Sequence, residues 1–172
     1  MPSIALALAG FEYADAKRFQ EQLLPEYDVV QSNSAIDWQL AFMINFSCRG
    51  ATDFPVSSFG IGTNGTKPEE ERKTPRAVIV SARADAADVG EFKAEVGKYH
   101  PNFLILCLAP PAGDGDGATP DDAEPAVETV RELLDAHVEA GKLSHDGRPV
   151  REEPAGARRP AGLGWWSRLR LF

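Results

Sequence analysis

Two short runs in the second half of the chain, Ala77-Val78-Ile79-Val80-Ser81 and Phe103-Leu104-Ile105-Leu106-Cys107-Leu108, are apolar without interruption. That pattern predicts parallel strands covered on both faces, because a strand with one wet face alternates instead. Between them Val89, Phe92, Val96 and Tyr99 recur at three- and four-residue steps and share one helical face. The stretch from Arg76 to Pro110 therefore reads as a βαβ unit. Upstream, Ile4 to Ala9 predicts a first strand ended by Gly10. A helix follows, with Asp15 as its N-cap, Phe19, Leu23 and Leu24 facing inward, and Pro25 as its stop. Tyr27 to Gln31 predicts a second strand, and Ser32-Asn33-Ser34 a cap for a helix carrying Ile36, Leu40, Met43 and Ile44. A last helix is expected from about Glu124 to Glu139, with Val127, Val130, Leu134 and Val138 on one face.

The middle is harder to read. Residues 46–75 form an insertion rich in Gly, Ser and Thr with a charged run from Lys67 to Lys73. A structureless loop of that length is improbable inside a compact domain. A strand or hairpin around Phe54 to Ile61, turning at Asn64-Gly65, is the expectation. Residues 110–123 read as a Gly/Asp/Pro linker. The organisation is then one α/β domain over residues 1–140, followed by an Arg/Gly/Pro-rich tail over 141–172. Alternating strands and helices predict a three-layer sandwich around a mainly parallel sheet of four to five strands. Ligands of such sheets gather at the carboxyl ends of the strands, which here carry Glu12, Ser32, Asn33, Ser81 and Arg83.

Charge changes the picture at one place only. The chain carries a formal −8, and 43% of its residues are hydrophobic, so a packed core is expected and general nucleic-acid binding is not. Residues 147–172 hold six Arg and two Glu, so the tail is basic on an otherwise acidic chain. The two cysteines, Cys48 and Cys107, give no disulfide framework. Ile4 to Ala9 is too short for a signal core or a membrane span, and a cytoplasmic location is the expectation.

The order of elements, with Tyr27-Asp28-Val29-Val30 before Ser34 to Phe42, Val78-Ile79-Val80-Ser81-Ala82-Arg83, and Leu108-Ala109-Pro110, resembles a response-regulator receiver domain of flavodoxin-like architecture. In that resemblance Val78 to Arg83 is similar to a receiver's fourth strand and Leu108 to Pro110 to the end of its fifth. The family's phosphorylation chemistry needs an acidic pair for a metal ion and a lysine for the phosphoryl oxygens. Ala9-Gly10 and Ala109 stand at those positions, and Asp53 falls only roughly where an acceptor would. The resemblance thus implies a degenerate receiver-like domain whose use is protein binding.

Other constellations are weaker. Gly60-Ile61-Gly62-Thr63-Asn64-Gly65 has dinucleotide-loop spacing, but the Lys67 to Lys73 run behind it offers no apolar helix face, so a flexible hairpin tip is expected. Asp114, Asp116, Asp121 and Asp122 lack the ligand steps of a calcium loop. His100, His137 and His145 show no metal spacing, and Cys48 with His100 is the one conceivable nucleophile pair. No catalytic residue, metal site or cofactor is assigned. The sharper signal is Trp165-Trp166-Ser167-Arg168-Leu169-Arg170-Leu171-Phe172. Its Arg/Leu alternation suits an added strand, and Trp and Arg dominate binding hot spots. Two functions follow as expectations. One is a non-catalytic interaction or scaffold protein whose tail, through Trp165, Trp166, Arg168, Leu169, Arg170, Leu171 and Phe172, docks a protein partner, a second copy or its own domain. The other is a small enzyme or binding protein that holds an acidic or phosphorylated small molecule with Glu12, Ser32, Asn33, Ser81 and Arg83.

Overall fold

A computed structural model describes residues 3–49, 60–109 and 126–143 of the chain. Four strands, β1 (Ile4–Ala9), β2 (Tyr27–Asn33), β3 (Ala77–Val80) and β4 (Leu104–Cys107), form one all-parallel sheet in the order β2-β1-β3-β4. Helices α1 (Tyr13–Leu23) and α4 (Val127–Glu139) cover one face, and α2 (Trp38–Ser47) and α3 (Ala86–Gly97) the other. This is the expected three-layer α/β sandwich, a layout consistent with a flavodoxin-like fold.

Alternation along each strand sorts side chains into the two cores. Ile4, Leu6 and Leu8 of β1 pack with Phe19 and Leu23 of α1 and with Val127, Val130 and Leu134 of α4. Ala7 and Ala9 point the other way, toward Leu40, Met43 and Ile44 of α2 and Phe92 and Val96 of α3. On this face β1 offers small alanines beside Val78 and Val80 of β3, whereas Ile4, Leu6 and Leu8 of the opposite face share a core with the aromatic Phe11 and Phe19. After α4, the N–H groups of Lys142 and Leu143 both donate to the His137 carbonyl, at 2.9 and 3.1 Å. This capping turn satisfies an orphan carbonyl and draws Leu143 into the core.

Several local expectations are corrected. The first helix begins at Tyr13 with Glu12 at its N-cap position, so Asp15 sits in the first turn, where a carboxylate still favours the helix dipole. Ser32 and Asn33 do not cap α2. They continue β2, and the cap is Asp37, whose carboxylate accepts from the Leu40 N–H at 3.0 Å. Tyr99 lies beyond the end of α3 and is 51% exposed, with the Arg49 guanidinium over its ring. Cys107 is exposed although its run is uninterruptedly apolar, because β4 is the edge of the described sheet and has only β3 beside it. Both cysteines are free thiols.

The largest correction concerns the insertion. Phe54 to Phe59 lie outside the described residues, but Asn64-Gly65 is no hairpin turn. It belongs to a 3-10 turn, Thr63–Thr66. Nor is it a flexible tip, since Asn64 is 0% exposed. Its side-chain oxygen accepts from the Lys73 N–H and its amide donates to the Lys73 carbonyl, both at 2.8 Å. Lys73 in turn donates to the buried Asp28 carboxylate at 2.7 Å and to the Ser3 hydroxyl at 3.0 Å, and Thr63 donates to the same carboxylate at 2.9 Å. A buried carboxylate persists only when its lone pairs are answered, and these donors tie residues 60–74 down as a strap along β2. Gly62 makes the closest approach, facing the bulge where Val30 is extra in the β1–β2 register.

Below the sheet edge, Tyr27 donates to Asp135 of α4 at 2.6 Å. Burial, then this acceptor, raise the Tyr27 pKa above the usual tyrosine range. Burial also pushes the Cys48 thiol up to about 11, with nearby Arg76 opposing the shift. Both groups keep their protons in the folded chain at pH values where the unfolded chain releases them. The stability they carry is therefore complete below their unfolded values of about 8.5 and 10 and falls as pH rises past each. The urea midpoint is expected to hold to about pH 8 and decline between about pH 9 and 11. Tyr27→Phe should lower the unfolding free energy by about 1–2 kcal/mol near neutrality and flatten the upper part of the decline. A midpoint constant to pH 11 in the wild-type chain would contradict the assignment.

Candidate functional site

The crevice between the carboxyl ends of β1 and β3 is the switch point of this sheet, where the chain leaves β1 toward one face and β3 toward the other. β1 ends at Gly10, whose N–H donates to the Asn33 carbonyl at 2.9 Å and whose φ of +77° turns the chain toward α1. The space over Gly10 is lined by side chains at ordinary contact distance. A β-carbon there would touch Ile36, Ser81 and Ala84 at 3.4, 3.5 and 3.6 Å.

Three of the five residues expected at the strand ends come together here. Arg83, two residues past Ser81, places one guanidinium nitrogen 2.8 Å from Glu12 and 3.6 Å from Asp15. Asp15 is also held by Arg18 at 3.0 Å. The Ser81 hydroxyl, buried at the end of β3, accepts from the Arg83 N–H at 3.1 Å. The Arg83 N–H bond to Ser81 fixes where Arg83 leaves the strand, and α1 presents Glu12 from its N-cap position and Asp15 from its first turn. The other two residues go elsewhere. Ser32 is wholly buried within β2, and Asn33 closes the β2 end with its side-chain oxygen accepting from Gln31.

The strand ending before Ser81 pairs directly with β1, and β2 fills β1's other side. In a 2-1-3-4-5 sheet that is the third place, one position earlier than its resemblance to a receiver's fourth strand would put it. Asp53 lies outside the described residues.

For the conceivable nucleophile pair, Cys48 is half-buried with its thiol pushed up to about 11, opposite to the depressed value that makes a cysteine reactive. His100 ends its turn by donating its backbone N–H to the Val96 carbonyl at 2.9 Å.

One surface feature escaped the sequence analysis. Phe42 and Phe46, one turn apart on the outer side of α2, are 52% and 38% exposed, with their rings stacked at 5.2 Å. Its signal was present in Ala41-Phe42-Met43-Ile44-Asn45-Phe46, which carries more apolar positions than one inward face requires. Aromatic side chains in water mark contact surfaces more often than isolated aliphatic ones do.

The tail residues Trp165, Trp166, Arg168, Leu169, Arg170, Leu171 and Phe172 lie outside the described residues, as does Asp114 to Asp122. No described helix is long and apolar enough to cross a membrane. Comparison with protein-family models, curated proteins and solved structures gives no match to this chain.

Proposed function

We propose that this protein is a non-catalytic interaction module, a receiver-like α/β scaffold that binds a protein partner and performs no phosphoryl transfer. The observation that carries the reading is the placement of Arg83. At the point where a parallel sheet ordinarily receives a ligand, this guanidinium is held between the exposed Glu12 and the more buried Asp15, so cationic and anionic groups compensate each other at the strand ends. A metal cation would have to displace Arg83 from the carboxylates, and an anion would have to displace the carboxylates from Arg83. Ile36, Ser81 and Ala84 line the space over Gly10. The exposed Phe42–Phe46 pair offers contact surface of the kind an interaction module needs.

A melting experiment tests this. The midpoint is expected to stay unchanged when Mg²⁺ is added with inorganic phosphate or acetyl phosphate at millimolar concentration. Ligand at a hundred times its Kd contributes about 2.7 kcal/mol, equivalent to about 5–10 °C for a chain of this size. A rise of that order, abolished in Glu12→Gln, would replace this reading with the ligand-binding one that uses Glu12, Ser81 and Arg83.

A further inference from the structure

The two edges of the described sheet are treated differently. The β2 edge is covered by the strap through Gly62, with Asn64 and the Asp28–Lys73 pair fastening it. Among the described residues, β4 has β3 on one side and nothing on the other. Leu104, Ile105 and Leu106 are only half-buried, and Cys107 is exposed, whereas every residue of β3 is buried. Natural edges are guarded by charge, proline, a bulge or a covering segment, and Leu-Ile-Leu-Cys contains none of the guarding residues. The direction of the open hydrogen-bonding groups follows from the ladder. Leu108 donates its N–H to Val80 at 3.0 Å, so by the two-residue period Leu104 and Leu106 also face β3, and the N–H groups of Ile105 and Cys107 face outward.

We infer that the β4 edge is a strand-addition site, and that its occupant is this chain's own C-terminal segment, Trp165 to Phe172. The inference deepens the interaction reading above and rests on it. Three observations select this occupant. Its strict Arg168-Leu169-Arg170-Leu171 alternation has the strand period. An added strand can continue the apolar row of Leu104 and Leu106 with Leu169 and Leu171 on the α1/α4 side. Arg168 and Arg170 then fall on the side covered by α3, where Asp88, Glu91 and Glu95 outnumber Lys93 and Lys98, so the balance of charge is complementary. Length also permits it: the 22 residues from Leu143 to Trp165 reach about 70 Å when extended, more than the domain's width. Main-chain hydrogen bonds to Ile105 and Cys107 would supply affinity, and alternate side chains the register.

The test is amide hydrogen exchange on the full chain and on a variant ending at Ala161. In the full chain the Ile105 and Cys107 amides are expected to exchange at least roughly tenfold more slowly than in the truncated one, with Leu104 and Leu106 changed far less. A synthetic peptide of residues 162–172 added to the truncated variant should restore the protection, and Leu169→Asp with Leu171→Asp in the full chain should abolish it. Equal exchange of Ile105 and Cys107 in both chains would overturn the proposal. So would uniform loss of protection across β1 to β4, which would mean that the tail only stabilises the whole domain. Sedimentation mass decides the origin of the strand: a monomer with protected amides supports the intramolecular form, and a dimer that dissociates on truncation overturns it in favour of tail exchange between two copies. Ligand-induced melting shifts read the strand-end crevice and not the β4 edge, so failure of one reading leaves the other measurable.

Discussion

Gly62→Ala is expected to destabilise the chain by about 3–4 kcal/mol, a large effect for adding one methyl group to a loop. Gly62 has a φ of +113°, a conformation that side-chain-bearing residues rarely adopt. Its β-carbon would lie 2.5 Å from the Val30 carbonyl oxygen and 2.7 Å from the Gln31 backbone nitrogen and Cα. These are backbone atoms of a paired strand, so no rotamer change relieves the clash. Either β2 shifts against β1, or the strap lifts and releases Asn64, Ile61 and the Lys73 partner of buried Asp28. The second route leaves a buried carboxylate without its cation, which is costly. Urea denaturation should show a lower midpoint with little change in slope. Gly60→Ala is the matched control, because open space surrounds that β-carbon although φ is again positive, +69°; its cost should be about 1–2 kcal/mol. Equal costs at the two positions would show that backbone conformation alone is responsible and that the close approach to β2 contributes nothing.

Phe19→Ala should cost about 3–5 kcal/mol. The ring is fully buried, meets Phe11 edge-on at 5.0 Å and 60°, and packs in the core shared by β1, α1 and α4. Its loss removes apolar contact area and leaves a cavity that two rigid layers cannot collapse to fill. The effect extends to the strand-end crevice. Phe19 anchors the helix whose N-cap Glu12 and first-turn Asp15 meet Arg83, and the Arg18 guanidinium lies 5.7 Å from the Phe19 ring centre. Weaker seating of α1 loosens that ionic cluster, and Phe19→Ala should gain affinity for phosphate relative to wild type when compared at equal folded fraction. A Phe19→Leu variant keeps most of the volume and should recover more than half of the lost stability. Denaturation curves for the two variants side by side would check the cavity explanation, and identical losses would refute it.

Candidate chemistry was legible to different depths at different residues. Glu12, Ser81 and Arg83 could be placed at strand ends from the apolar runs before them, and they do converge. Their pairing could not be read, because whether Arg83 meets a ligand or Glu12 depends on where α1 starts, and Glu12 gives no cap signature that marks the start. Ser32 and Asn33 looked like a helix cap because Ser and Asn favour caps. They extend β2 instead, since pairing with Leu8 and Ala9 satisfies more backbone groups than a cap would. Asn64 was hidden for a similar reason. Its sequence neighbours are all turn formers, and only the distant Lys73 backbone makes it a buried bracket.

The sequence by itself determined the layers. Continuous apolar runs and a 3.6-residue period are properties of neighbouring residues, so the strands, the helices and their alternation into an α/β sandwich follow from local pattern. The tertiary structure alone decided strand order, which edge is covered, and which charges meet. Those depend on contacts between residues tens of positions apart, Asp28 with Lys73, Glu12 with Arg83 and Gly62 with Val30. No periodicity encodes such pairs, because the partners meet only after folding has brought distant segments of the chain together.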